Sequence, residues 1–246
     1  MLKKTGYYFL IGITLLFIGF QIYTFLHTMF YMEASAVPGE EDVVVRNGNT
    51  EENRLTFTCN VDWGEEIIPG MLEILKEKDI EITFFVSGKW AEKNPYLLRT
   101  IYIMGHEIQN HGYAHKLCSQ ISPDKVREEI QKTEDAINEL TGIKTTVFAP
   151  PSGDYNADTV KLCREMGYTL SLWSSDTIDW RKDSTASVIK DRILRKPLKG
   201  AIILMHPKEE TLKALPELID EIRKQGIEIV TLNQLLQYCA CGQEGI

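Results

Sequence analysis

From residue 54 onward the sequence predicts an α/β fold, a parallel sheet covered by helices. Two observations carry this. Short runs rich in β-branched and aromatic residues alternate with amphipathic helical stretches, the order of a repeated strand–helix unit. Several of the runs lack polar/apolar alternation, as strands buried on both faces do. Seven such runs suit a (β/α) barrel, complete or incomplete, with an open doubly wound sheet as the alternative.

The elements follow in chain order. Lys3 and Lys4 precede residues 7–32, which contain no Lys, Arg, Asp or Glu. That stretch is long enough to cross a bilayer, which takes about 20 apolar residues. Tyr7, Tyr8, Tyr23 and Tyr31 put amphipathic rings near its two ends. Basic residues before it and acidic ones after it predict a single-pass protein of the cell membrane. Its N-terminus is then cytoplasmic and its globular part outside. Ala34-Ser35-Ala36 resembles a cleavage site, and cutting there gives a secreted protein instead. The apolar run is longer than the roughly 7–15 residues of a signal-peptide core. The chain therefore divides into a cytoplasmic stub and anchor at 1–32, an acidic linker at 33–53, a domain at 54–240 and a tail at 241–246. Asn47-Gly48 is a hairpin signal inside the linker.

The strand candidates are LTFTCNV, IEITFFV, HEIQN, TTVFAP, TLSLWS, AIILMH and IEIVTL. The clearest helix is SPDKVREEIQKTEDAINELTG, with Ser122 to cap it, Pro123 in its first turn and Gly142 to end it. Val126, Ile130, Ile137 and Leu140 share its apolar stripe. ETLKALPELIDEIRKQG, closing on Gly226, is a second helix.

A net charge of −8 with dispersed Lys and Arg excludes a basic nucleic-acid surface. Five cysteines without regular spacing give neither a disulfide framework nor a CxxC zinc site. Cys239 and Cys241 read as incidental thiols of a tail, with pairing to a partner as the alternative. The sequence sets no oligomeric state.

In either α/β architecture, chemistry sits at the C-terminal ends of the strands. The first strand ends at Asn60-Val61-Asp62, the third at NHGYAH, the fourth at FAPPSGDYN, the fifth at WSSDTIDW and the sixth at LMHP. Three of the five histidines, His111, His115 and His206, therefore meet Asp62, Asp176 and Asp179 at one mouth. His106 sits on a strand body and reads as structural. His111 and His115 are four apart, a spacing that puts both imidazoles on one side of a turn or tight loop. With Asp62 they make two histidines and a carboxylate, a set that leaves positions open on Zn²⁺ or a similar ion.

These residues resemble the polysaccharide deacetylase family, also called the NodB-homology or carbohydrate esterase 4 family. ITFFVSGKWAEKNP, GHEIQNHGYAH, DTIDW and ILMHP match its recurrent segments in order, over roughly Arg54 to Leu236. The resemblance implies a distorted (β/α)7 barrel of the NodB type and removal of acetyl groups from a glycan such as peptidoglycan or chitin. It implies a divalent metal, zinc first, with cobalt or another transition metal as the alternative. The family's metal triad carries over to Asp62, His111 and His115. Its catalytic acid carries over to His206, the carboxylate that orients the acid to Asp179, and the pocket aromatic to Trp180. Pro151 and Ser152 fall in the substrate-binding place, where a backbone N–H helps hold the oxyanion with the metal, with a rigid turn at PPSG as the alternative. In the implied mechanism His206 protonates the leaving amine, held in its acid form by Asp179.

Two positions depart from the family. The catalytic base is an Asp, and here that place is Asn60, whose amide cannot take a proton. The Arg that pairs with the base is Ala149 in APPSG, and the aromatic after the prolines is Ser152. An Arg without its carboxylate partner would be desolvated for nothing, so the two losses belong together. Three readings stand. One is a deacetylase served by another base, with Glu65 and Glu66 as candidates. The second is a glycan-binding module that holds metal with little or no turnover. The third is a membrane-tethered scaffold.

Overall fold

The computed structural model describes Gln21 and residues 42–241, with side chains through Gln237. The expected membrane span, most of the linker, the tail and the side chains of Cys239 and Cys241 lie outside the described residues. Among the described residues no helix is long and apolar enough to cross a membrane.

The strands in chain order are β1 (Val44–Val45), β2 (Arg54–Val61), β3 (Thr83–Val86), β4 (Glu107–Asn110), β5 (Val147–Phe148), β6 (Thr169–Ser171), β7 (Ser175–Asp176), β8 (Ile202–Met205) and β9 (Glu228–Ile229). The helices are α1 (Ile68–Glu77), α2 (Gly88–Lys93), α3 (Pro95–Ile103), α4 (Pro123–Thr141), α5 (Ala157–Met166), α6 (Ala186–Leu194), α7 (Glu209–Lys224) and α8 (Leu232–Cys241). The sheet runs β1-β6-β5-β4-β3-β2-β8-β7, with β9 also on β2. Every strand pairing in it is parallel. All seven expected runs hold a strand.

The sheet is a curled half-barrel, not a closed barrel, because its path ends on β1 and β7. Side-chain period explains its two sides. On β2, Leu55, Phe57, Cys59 and Val61 join the core shared with the helices, alongside Phe84 and Val86 of β3 and Ile203 and Met205 of β8. The alternate residues point the other way. There Phe85, Ile202, Val147 and Ala149 pack with Leu232 and Leu235 of α8. Helices cover one face, and inward side chains with α8 alone fill the other among the described residues, which is nearer barrel packing than the two helical layers of a doubly wound sheet.

The linker expectation is corrected at its end. Val43 and Val44 are buried, and β1 pairs with β6, Val43 O and Val45 O accepting from Leu170 and Leu172 at 2.8 Å each. Two valines in an acidic stretch carry no periodicity of their own; the unpaired edge of β6 supplies the order. Asn47-Gly48 makes no hairpin, since Gly48 N donates to Gly200 O at 2.7 Å and Asn47 bridges Ala201. Helix α4 starts after Ser122 and Pro123 and stops at Gly142, at φ 77°, as expected, but the Ser122 hydroxyl makes no cap bond.

Candidate functional site

The strand alternation that buries Cys59 and Val61 among the helices turns Asn60 into the barrel mouth, followed by Asp62. Both line a cavity of about 470 Å³ together with His111, His115 and His206. Ser152, Trp180, Trp63, Trp173, Asp176 and Leu204 complete its wall. Asp179 and Pro151, both expected in the site, do not line it. Asp179 stands behind His206, and Pro151 is buried beneath its loop.

Asp62 and His111, two of the three expected metal donors, are each positioned by a neighbour. Asp62 Oδ1 accepts from the hydroxyl of Ser87 at 2.6 Å. Ser87 is fully buried and also caps α2, its Oγ accepting from Trp90 N at 3.4 Å. His111 sits just past β4, with Nδ1 2.8 Å from Ala149 O. A carbonyl only accepts, so that nitrogen carries the proton and Nε2 keeps its lone pair. Burial, with His115 adding to it, pushes His111 down to about 3, so the ring is neutral at ordinary pH. The loop to His115 is tight rather than helical: Gly112 is at φ 74° and His115 at φ 52°. Asn110 Oδ1 accepts from Gly112 N at 2.9 Å, and buried Glu129 accepts from Ala114 N at 2.6 Å. The two rings then lie 5.2 Å apart, edge to face.

Two imidazole donors and a carboxylate, with hydrogen-bonded neighbours behind Asp62 and His111, fit a divalent metal in kind. Among the described residues no three such side chains stand close enough together to hold an ion as they are. Asp62, His111 and His115 would have to draw in around one.

The acid side is assembled. Asp179, whose side chain is wholly buried, accepts from His206 Nδ1 at 2.8 Å and from His206 N at 2.7 Å. It also accepts from Thr211 Oγ1 at 2.7 Å. Burial works to raise the Asp179 pKa, but the hydrogen bonds and charge from His206, with Thr211, leave it below the usual value. With Nδ1 engaged, Nε2 of His206 is the nitrogen free for a substrate. Trp63 stacks on the imidazole, ring centroids 6.0 Å apart and planes within 15°. Lys208 Nζ lies 4.2 Å from the Trp63 ring centre.

Glu65 and Glu66, expected as substitute bases, are corrected: neither lines the cavity. Glu65 faces outward to Lys93 Nζ at 2.8 Å. Asp62 and Asp176 are the carboxylates in the cavity wall, and Asp176 Oδ1 already accepts from Ile178 N at 2.7 Å. Burial raises the Asp176 pKa. Among the described residues no Lys or Arg lines the cavity to replace the missing cation at Ala149. Sequence reasoning gave Trp173 no role and saw neither Ser87 nor Thr211, hydroxyls that act on partners 25 and 32 positions away.

A larger cavity, about 550 Å³, opens at the opposite end of the strands and includes His106. His106 is structural there: Nδ1 accepts from Ile82 N at 3.3 Å and its ring meets Phe84 edge to face.

Comparison with known proteins agrees with this geometry. The family described as polysaccharide deacetylase matches residues 47–171. A peptidoglycan-N-acetylglucosamine deacetylase of Bacillus cereus is 32% identical over 77% of this chain and 70% of its own length. The uncharacterized protein YlxY of Bacillus subtilis is 36% identical over 78% of this chain, which spans only 60% of that relative. Among solved structures, BA3943, a CE4 family pseudoenzyme from Bacillus anthracis, superposes with a TM-score of 0.76 at 35% identity, covering 78% of this chain and 68% of the other. A BA3943 mutant described as having restored enzymatic activity superposes equally well, at 0.76 and 33% identity over 78% of this chain and 70% of the other.

Proposed function

The chain belongs to the polysaccharide deacetylase family, and from that premise we propose that it hydrolyses N-acetyl groups on a cell-wall glycan of the peptidoglycan type, slowly for want of a base. The observation that carries this reading is the finished Asp179–His206 pair, held by three hydrogen bonds at the cavity wall. A surface that only binds has no use for an oriented acid.

In this reading Asp62, His111 and His115 hold a divalent metal, zinc or a similar ion. When bound, the ion supplies Lewis-acid polarisation of the acetyl carbonyl and of a water. The chain's own residues do the rest. Asp179 fixes the His206 ring, so that Nε2–H faces the amide nitrogen and protonates it as the C–N bond breaks. Trp180, 62% exposed at the mouth, stacks on a sugar ring. Ser152 lines the cavity, and in this reading its backbone N–H donates to the carbonyl oxygen as that oxygen gains charge. Water adds to the acetyl carbon, and because Asn60, where a proton acceptor belongs, takes none, the water's proton passes to bulk water. Losing one member of an acid/base set costs about 10²–10⁴ in rate. The domain works outside the cytoplasm, anchored by residues 7–32 or released after Ala36.

Asn60 with Ala149, and Glu65 turned out to Lys93, favour a second reading: a module that binds metal and glycan without turnover. Acetate release from N-acetylated peptidoglycan by the natural chain, by Asn60→Asp and by His206→Ala separates the two. Release by the natural chain that His206→Ala abolishes supports the hydrolase. Release by Asn60→Asp alone transfers the conclusion to the binding module. Release by none of them refutes the hydrolase outright.

A further inference from the structure

Asn60 is only 6% exposed, faces the cavity, and its side-chain amide has no hydrogen-bond partner among the described residues. Its amide atoms are open to the cavity and are not among the sealed side-chain atoms that lack a partner, so a ligand in the cavity can reach them. Its surroundings are neutral on the sides where an acid/base pair would need charge. Phe85 lies opposite it in the parallel register, Ala149 carries no cation, and Trp173 and Leu204 share the wall. A carboxylate here would only accept hydrogen bonds; an amide brings an NH₂ donor.

We infer that Asn60 is a recognition residue, whose Nδ2–H donates to the carbonyl oxygen of a sugar's N-acetyl group. This rests on the reading that the cavity receives N-acetylated glycan. It gives the pocket a preference for acetylated over deacetylated sugar that does not depend on turnover. A deacetylated sugar carries an ammonium in place of the acetamide and offers Asn60 no acceptor. Substitution of the base position thus exchanges proton transfer for selective retention.

Calorimetric titration of the full chain with tetra-N-acetylchitotetraose and with its fully de-N-acetylated counterpart tests this, acetate being monitored throughout. Asn60→Ala and the near-isosteric Asn60→Leu each lower affinity for the acetylated probe about tenfold, the worth of one hydrogen bond, and leave the deacetylated probe unchanged. Unchanged affinity for the acetylated probe, or an equal loss for both probes, overturns the inference and spares the functional reading. Failure of the natural chain to bind either probe overturns both. A measurement without substitution stands beside these: the Asn60 side-chain NH₂ resonances of the natural chain shift with the acetylated probe and not with the other. Their failure to move also overturns the inference.

Discussion

Thr211→Val tests the claim that the acid pair is built rather than incidental. Thr211 is 2% exposed and donates to Asp179 Oδ2 at 2.7 Å, one of three hydrogen bonds on a carboxylate with no access to water. Valine keeps the shape and deletes the donor. A hydrogen bond to a charged group contributes about 1.5–3 kcal/mol, so the variant is less stable by about that amount at pH 7. For a chain of this size that lowers Tm by roughly 4–10 °C. The pH dependence fixes the cause. The Asp179 pKa is depressed below its ordinary 3.8 in the folded protein. Its stabilisation is therefore complete above the unfolded value and disappears as pH falls through the folded one. The deficit of Thr211→Val follows the same course: full above the ordinary carboxylate value and shrinking as pH falls through the depressed folded one, where Asp179 protonates. Urea unfolding of both proteins at several pH values reads it directly. A deficit of unchanged size even at the acid pH where Asp179 is protonated in the folded protein would mean that the lost group acts through packing, and the charge argument would be wrong.

Other outcomes follow from the same geometry. Gly64→Ala puts a Cβ 2.7 Å from Pro207 O at φ +86°, so thermal unfolding shifts down by more than 4 °C, about 2 kcal/mol or more; an unchanged Tm would show that this loop yields. Burial holds His106 at about 4, so between pH 6.5 and 4 the unfolded chain takes up a proton that the folded one refuses. Stability then falls with falling pH by up to about 1.4 kcal/mol per unit in that window, and His106→Leu flattens the curve; parallel stability–pH curves would rule this out. Trp180→Ala leaves chemical unfolding within about 0.5 kcal/mol of the natural chain and weakens glycan binding several-fold, which titration with N-acetylated oligosaccharide checks.

What could be read in the sequence depended on range. Strand runs and the α4 stripe are local patterns, and the structure keeps them. Asp62, His111, His115 and His206 could be gathered at one mouth because parallel strands place their C-terminal ends together, whatever the details of the sheet. The failures all involve distant partners. Val44 and Val45 became a strand because β6 had an open edge. Glu65 is near Asp62 in sequence, yet Lys93 draws it outward. Ser87 and Thr211 are ordinary hydroxyls until the fold brings them to Asp62 and Asp179. Asp176 was noticed and given no role, because its neighbours in the cavity come from other strands.

Gly64 and Pro207 meet too closely to admit a methyl group, and they belong to the two loops that carry Asp62 and His206. The loop that carries Asp62 and the loop that carries His206 are thus held together at that point. A molecule that spans both loops finds that one contact already made, whatever movement His111 and His115 still undergo. For inhibitor chemistry the distance across that seam is the dimension to match, and a linker cut to it gains affinity from preorganisation without one added contact.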